Sequence, residues 1–579
     1  MATTTNLSSF IWSVADLLRG NYRQSDYGKV ILPFTVLRRL DCILEPTKEK
    51  VLEEFKKRTA EGVDPSPFLT RIAKQSFYNS SPLDLNKSLA QPAQIKANLL
   101  SYINGFSSNV GDIFEKYEFD DQIDKLANAD LLFLVAKKFS EIDLHPTQVT
   151  NADMGLIFEE LIRKFAELSN ETAGEHFTPR EVIRLMVDLL FYGDSEALSK
   201  PGVIRTLYDP TAGTGGMLSI AEEYLTGANG LNPDATLIVG GQELNPESYA
   251  ICKGDMLIKG QDVSNIKFGD TLKNDGHAGA KFDYGLSNPP FGVEWKKSEK
   301  EVKEEHERLG FAGRFGPGLP RISDGSLLFL LHLISKMREP EKGGGRIAIV
   351  LNGSPLFTGG AGSGESDIRK WIIEQDLLEA IIGLPTDMFY NTGIATFIWV
   401  LSNHKAKERK GKIQLIDASD FFQKMRKSLG SKRKELSDAD IAKVIKLYGE
   451  FKNTEHSKIF KGEEFGYTTI TIERPLLDEK GNPVISSKGK TKEKPQPDSN
   501  LRDTENVPLT EDINEYFKRE VLPYAPDAWI DHQKSKVGYE INFNRHFYVF
   551  KPPRPLLEID AELKQTTDKI LSMIKGLSS

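Results

Sequence analysis

The chain has 579 residues, of which 39% are hydrophobic, 27% charged and 9% aromatic, and its formal net charge is −8. It is too long for one core, so roughly two to four domains are expected. Its two cysteines exclude a disulfide framework or a cysteine zinc site, no apolar run reaches membrane-spanning length, and the acidic balance argues against a protein that grips nucleic acid unaided by broad phosphate neutralisation.

The opening MATTTNLSSFIWSVADLLRG lacks the basic stretch and unbroken apolar core of a secretory signal. A reduced, intracellular setting is expected. Residues 1–165 carry apolar positions at three- and four-residue spacing, as in Phe10, Val14, Leu17 and Leu18, then Leu37 and Leu40. This predicts a helical domain packed against something else. Over 166–425 short β-rich runs alternate with helix-length segments: IRTLYDP, ATLIVGGQEL, FDYGLSNPPF, GRIAIVLN, LLEAIIGLP and ATFIWVLS. The pattern predicts a doubly wound α/β sheet, whose ligands sit beyond the carboxyl ends of the strands.

Residues 426–579 turn charged and read as helical again. Within them 473–504, rich in Lys, Glu, Pro, Asn and Ser, predicts an exposed hairpin or loop. Near the end Leu556, Ile559, Leu563, Thr566, Ile570, Met573 and Leu577 alternate spacings of three and four, a heptad seam over 556–577. It packs on its own domain or docks on a partner helix. Gly489-Lys490-Thr491 imitates the end of a P-loop, but Val484 stands where that motif needs glycine, so no motor is expected.

Three clusters carry the chemistry. The first is Asp209-Pro210-Thr211-Ala212-Gly213-Thr214-Gly215-Gly216, between a strand-like run and a helix. Glycines there let backbone amides approach a ligand closely. The second is Glu243, at the end of the next strand-like run, where a carboxylate suits the two hydroxyls of a ribose. Together they indicate an adenosine-containing cofactor. The third is Asn288-Pro289-Pro290-Phe291. Two consecutive prolines take the backbone out of a sheet. The Asn288 side-chain oxygen and the Pro289 carbonyl can each accept one hydrogen of a planar NH₂ group, exposing its lone pair, while Phe291 offers a stacking face to a flipped base.

The order of these motifs resembles the amino-methyltransferases that place their cofactor motifs before the catalytic NPPF. Over essentially its full length the chain resembles the modification subunits of type I restriction–modification systems. Gly174-Glu175-His176-Phe177-Thr178-Pro179-Arg180, Phe268-Gly269-Asp270-Thr271-Leu272, VLNGSPLF and IGLPTDMFYNTGIATFIWVLS carry further likeness. The resemblance implies a Rossmann-like methyltransferase domain between a helical N-terminal domain and a helical C-terminal tail. It implies S-adenosylmethionine as methyl donor and N6 of adenine in double-stranded DNA as acceptor. Residue by residue, Glu175, His176, Phe177, Thr178, Pro179 and Arg180 would contact the cofactor, with Asp209, Gly213, Thr214, Gly215, Gly216 and Glu243. Asp270 would face its adenine end. Family members often carry another residue at the position of His176. Asn288, Pro289, Pro290 and Phe291 would form the target-adenine site.

The stretch after NPPF is of mixed charge, and no insertion is large enough for a sequence-reading domain. With the acidic balance, this argues that sequence reading belongs to another polypeptide, and the resemblance implies a DNA specificity subunit. The family implies two of the present chains per specificity chain, with a separate restriction or translocase subunit where cleavage occurs. A standalone adenine methyltransferase, an enzyme acting on RNA or on a protein amide, and a catalytically dead DNA-binding scaffold are the alternatives.

Overall fold

The computed structural model describes residues 13–169, 178–227, 230–390, 392–486, 495–550 and 554–577. The chain divides into two compact units after Ile541. Among the described residues 13–169 the elements are all helical. Their centre is α1 (Gly28–Leu44), whose sequence GKVILPFTVLRRLDCIL is buried on almost every side rather than along one stripe. Phe34 meets Phe119 edge-on at 5.0 Å and stacks on Phe139 at 5.2 Å. Charged groups this deep must be paired. Arg38 binds Asp41 at 2.8 Å, and Arg39 donates to the Val149 carbonyl at 2.9 Å and to Asn151 Oδ1 at 2.7 Å. The Asn151 contact fixes the start of α2 (Asn151–Ser169).

The next helix is α3 (Arg180–Tyr192), and then β1 (Ile204–Asp209) opens the sheet. Chain order continues with α4 (Gly216–Thr226), β2 (Thr236–Glu243), α5 (Pro246–Ile258), β3 (Ile266–Phe268) and β4 (Tyr284–Ser287). Four further sheet strands are β5 (Arg346–Asn352), β6 (Leu378–Gly383), β7 (Thr396–Ser402) and β8 (Lys412–Asp417). All six predicted strand runs are present. Strands β6 and β7 are buried at every residue, the unbroken apolar reading expected of strands covered on both faces.

Beyond 420 the expectation of helix fails over most of the segment. A ribbon of β9 (Gln423–Leu429) and β10 (Lys432–Glu435) comes first. One helix, α6 (Asp438–Glu450), and the edge strand β11 (Ser457–Lys461) follow. The main sheet has nine strands, in the order β11-β8-β6-β7-β5-β4-β1-β2-β3. Strand β7 runs antiparallel between β5 and β6, and β11 antiparallel to β8; the other pairs are parallel. Strand order reverses at β1 and β4, which opens a crevice at their carboxyl ends.

A separate sheet of β12 (Gly466–Glu473), β13 (Asp503–Pro508) and β14 (Trp529–Tyr539) closes the first unit, in the order β13-β12-β14. Between β12 and β13 the chain folds back on itself through bridges Pro475↔Pro497 and Ile485↔Pro495, so the predicted hairpin is an irregular, solvent-facing arm. The second unit contains α7 (Leu556–Leu577), where Leu556, Leu563, Ile570 and Met573 of the predicted seam are all more than half exposed. The Leu577 side chain lies outside the described residues.

The N-terminal helices and the sheet share one continuous core, and α5 is the joint. Ser248 to Ile258 are all buried. One side of α5 lies along β2, and the other meets α1 so closely that a side chain at Gly254 would touch Val36 Cγ2 at 3.1 Å. Asp112 from the helix Ser108–Lys116 accepts from Tyr249 Oη at 2.6 Å and from Lys253 Nζ at 2.8 Å. Because the Lys253 side chain is only 7% exposed, removing its partner strands a buried ammonium. Asp112→Ala should therefore lower stability by about 2–3 kcal/mol, somewhat less than a fully buried pair would lose. Denaturant unfolding of the full chain checks this.

Candidate active site

The crevice beyond β1, β2 and β4 is a cavity of about 790 Å³, of the size that small-molecule sites occupy. Its floor is the turn between β1 and α4. Gly213 and Gly215 adopt φ of 54° and 82°, a region side chains strain to enter. A Cβ on Gly215 would also lie 2.6 Å from Cys252 Sγ of α5. The glycines thus let the turn lie directly on α5.

Glu243, at the end of β2, is 7% exposed and has both carboxylate oxygens engaged. Oε2 accepts the Gly213 N–H at 2.8 Å and Oε1 the Asn245 N–H at 2.7 Å. Its first task is therefore to hold the turn, a role that its place in the sequence does not disclose. Each oxygen retains a further lone pair toward the cavity that it lines. Asp209 is 1% exposed. Burial pushes its carboxyl up to about 7; bonds from the Thr211 N–H and hydroxyl oppose this and the charge of Glu243 adds to it. The Thr211 hydroxyl also meets Ser287 Oγ at 2.7 Å and so couples the turn to the end of β4.

Asn288 follows immediately. Its Nδ2 donates to Thr178 Oγ1 at 3.0 Å. Its Oδ1 is buried with no hydrogen-bond partner among the described residues. An orphaned buried acceptor costs about 1–3 kcal/mol, a cost that a donor arriving with a ligand would relieve. Pro290 lines the cavity, and Pro289 is buried behind it. Phe291 is half-buried, outside the cavity lining, and packs edge-on against Phe389 at 6.1 Å.

Of the residues assigned to the cofactor, Thr178, Arg180, Asp209, Gly213, Thr214, Gly216, Glu243 and Asp270 line the cavity. Gly215 and Pro179 support it from behind. Glu175, His176 and Phe177 lie outside the described residues. Asp270 accepts the Leu272 N–H at 2.9 Å and the Ser298 hydroxyl at 2.7 Å, which pins its carboxylate to the wall. Sequence reasoning missed Asp255 and Lys259. Lys259 Nζ donates to Asp255 Oδ2 at 2.6 Å and to Ser219 Oγ at 2.9 Å, and both charged residues line the cavity. In sequence they are an ordinary helical i,i+4 pair, with nothing to single them out. Ile162 of α2 was missed too, because it reaches the wall from a helix credited to the N-terminal domain.

The donor set suits an adenosine-bearing, cationic methyl donor. Carboxylates at Asp209, Glu243 and Asp270 ring one cavity with apolar walls from Ile183, Met217 and Ile220. The profile of the N-6 DNA Methylase family matches residues 150–467, more than half the chain, and that of the HsdM N-terminal domain matches residues 7–139. The methylase subunit of the type I restriction enzyme MjaIX from Methanocaldococcus jannaschii is 27% identical over 486 residues, covering 81% of each chain. The EcoKI methylase subunit of Escherichia coli is 29% identical over 265 residues, 42% of this chain and 43% of its own. A crystal structure of the type I restriction–modification methyltransferase subunit from Streptococcus thermophilus superposes with a TM-score of 0.61 at 25% identity, over 80% of this chain and 97% of that one. A chain from a type I restriction–modification complex shares the fold across 99% of this chain and 97% of its own, with a TM-score of 0.52 at 18% identity. With its glycine turn, its acidic cavity wall and its NPPF at the switch point of the sheet, the chain belongs to the N-6 DNA Methylase family, the S-adenosylmethionine-dependent methyltransferases of adenine in DNA.

Proposed function

We propose that the chain acts as the modification subunit of a type I restriction–modification assembly, methylating N6 of an adenine flipped out of duplex DNA beneath Asn288. The observation that carries the placement is the unpartnered, buried Asn288 Oδ1 at the cavity wall. Thr178 holds the Asn288 NH₂, so the carbonyl oxygen is presented to the site. One adenine N6 hydrogen goes to that oxygen and the other to the Pro289 carbonyl. Accepting both draws the nitrogen toward tetrahedral geometry and aims its lone pair at the cofactor. S-adenosylmethionine, when bound, supplies an electrophilic methyl group on sulfur. The chain's work is orientation and electrostatics, with the cofactor held by the glycine turn, Glu243, Asp209 and Asp270. Flipping the base costs a few kcal/mol of stacking and pairing, and the Phe291–Phe389 pair at the rim offers an aromatic surface against it.

Sequence reading belongs, in this proposal, to a specificity polypeptide. Two modification chains join one such subunit, with the N-terminal helices closing on DNA and the exposed apolar seam of α7 as the docking element. Deleting residues 556–579 should weaken co-purification with the specificity polypeptide; assembly at wild-type yield would refute that docking role.

Tritiated methyl transfer to unmethylated genomic DNA, followed by nucleoside analysis, tests the reaction. N6-methyladenine should form when the specificity polypeptide is co-expressed and not without it. Asn288→Ala should reduce transfer by about 10²–10³-fold, the scale of losing one preorganised polar contact to the reacting group, while equilibrium dialysis still shows cofactor bound. Turnover at the wild-type rate would sink the assignment.

The Asp209 carboxyl predicts a pH dependence. Its value of about 7 leaves it largely protonated at pH 6 and ionised at pH 8. A cationic cofactor favours the ionised form, so affinity should rise about tenfold across that interval and level off above it. Asp209→Asn should flatten the profile; an unchanged slope would show that Asp209 does not face the cofactor's charge.

A further inference from the structure

The β9–β10 ribbon stands apart from both larger sheets. Between Gln423 and Glu435 it carries six cationic side chains against one carboxylate, in a chain of net charge −8. Two of the six are engaged internally. Lys432 is buried, paired with Glu181, and donates to the Lys434 carbonyl at 2.8 Å. Lys434 Nζ donates to Thr386 Oγ1 at 3.2 Å. Lys424, Arg426, Lys427 and Arg433 are exposed, and none has an ion-pair partner among the described residues. The register sets Lys434 directly across from Lys424. Like charges opposed on one face weaken a ribbon unless an anion lies over them.

The ribbon is fastened to the target-base side of the crevice. The Ser431 N–H donates to the Tyr390 carbonyl at 2.8 Å and the Arg433 N–H to that of Asp387 at 2.9 Å. Between those two anchors lies Phe389, the partner of Phe291 in NPPF. The Lys432–Glu181 pair ties the ribbon's base to the first turn of α3, beside Arg180 and next to Thr178, the hydrogen-bond partner of Asn288. Strand β8, parallel to β6, delivers the chain into the ribbon at the carboxyl edge of the sheet.

We propose that the β9–β10 ribbon grips the sugar-phosphate backbone flanking the target adenine, through Lys424, Arg426, Lys427 and Arg433. This rests on the reading of an adenine flipped beneath Asn288. A base entering the crevice stays bonded to its own strand, so its neighbouring phosphates come to the rim where the ribbon is anchored. Contacts of this kind add affinity and register without sequence preference, and they give an acidic chain a local basic grip.

The test compares the full chain, purified with its specificity polypeptide, as wild type, as Lys427→Gln, and as the combined Lys424→Gln, Arg426→Gln, Lys427→Gln and Arg433→Gln variant. Lys432 is left intact to preserve the anchor, and cofactor affinity is measured to show that the site is intact. Binding to a mixed-sequence DNA duplex is followed against salt. The slope of log K against log[salt] should flatten by about 0.9 for each phosphate that is no longer neutralised, about one for the single variant and up to about three or four for the combined one. KM for DNA should rise roughly tenfold or more at physiological salt, on the same basis, with cofactor affinity unchanged. Unchanged slopes and KM overturn the proposal. So does loss of the specificity polypeptide from the combined variant with no change of slope, which would mark the ribbon as a protein-binding surface. Methyl transfer by the wild type in the same assay reports separately on the flipped-adenine reading: with it present and the slopes unchanged, only the ribbon's role fails.

Discussion

The site depends on where one buried carboxylate finds its hydrogen bonds. A buried carboxylate is costly unless donors meet it, and Glu243 is met by two. The two N–H groups it takes belong to two different segments, the glycine turn after β1 and the entry to α5. Those two bonds tie the turn to the start of α5. Because α5 is itself clamped by Asp112 and lies against α1 at Gly254, the N-terminal helices brace this side of the site although few of their residues line it. A carboxylate that reads in sequence as a ligand contact is, in the fold, first a strut.

The glycine-turn side and the NPPF side of the cavity are joined by short polar links. Asp209, the Thr211 hydroxyl and Ser287 run from the floor of the cavity to the end of β4. Thr178 and Asn288 continue the line to the unpartnered oxygen. Ser287 and Asn288 are consecutive, so these hydrogen bonds hold the polar groups in place ahead of any ligand, and groups oriented in advance stabilise developing charge most effectively.

Legibility in the sequence followed burial. The six long strand runs were readable because strands covered on both faces are nearly continuous apolar stretches, as in AIVL of β5 and IWVL of β7. Strand β3 is three residues long and β9 has no buried residue, so neither carries a period to detect. The glycine turn and NPPF were readable because their backbone demands exclude most other residues. Lys259, Asp255 and Ile162 were not, since only tertiary placement brings them to the cavity. Phe389 lies inside a stretch that already stands out for its family likeness, IGLPTDMFYNTG, but nothing local shows that its ring meets Phe291.

The shared core bears on how such a chain arises and unfolds. The family profiles divide near residue 150, yet apolar packing runs without a break from Val14 to Tyr448. Severing the chain at that division would expose the α1-facing flank of α5 and leave the Lys253 ammonium without its carboxylate. The two halves are thus recognisable to an alignment but not autonomous to a solvent, and their melting is coupled. Selection on the N-terminal half is then also selection on the catalytic crevice, and a transplanted catalytic half is viable only if it carries its helical companion with it.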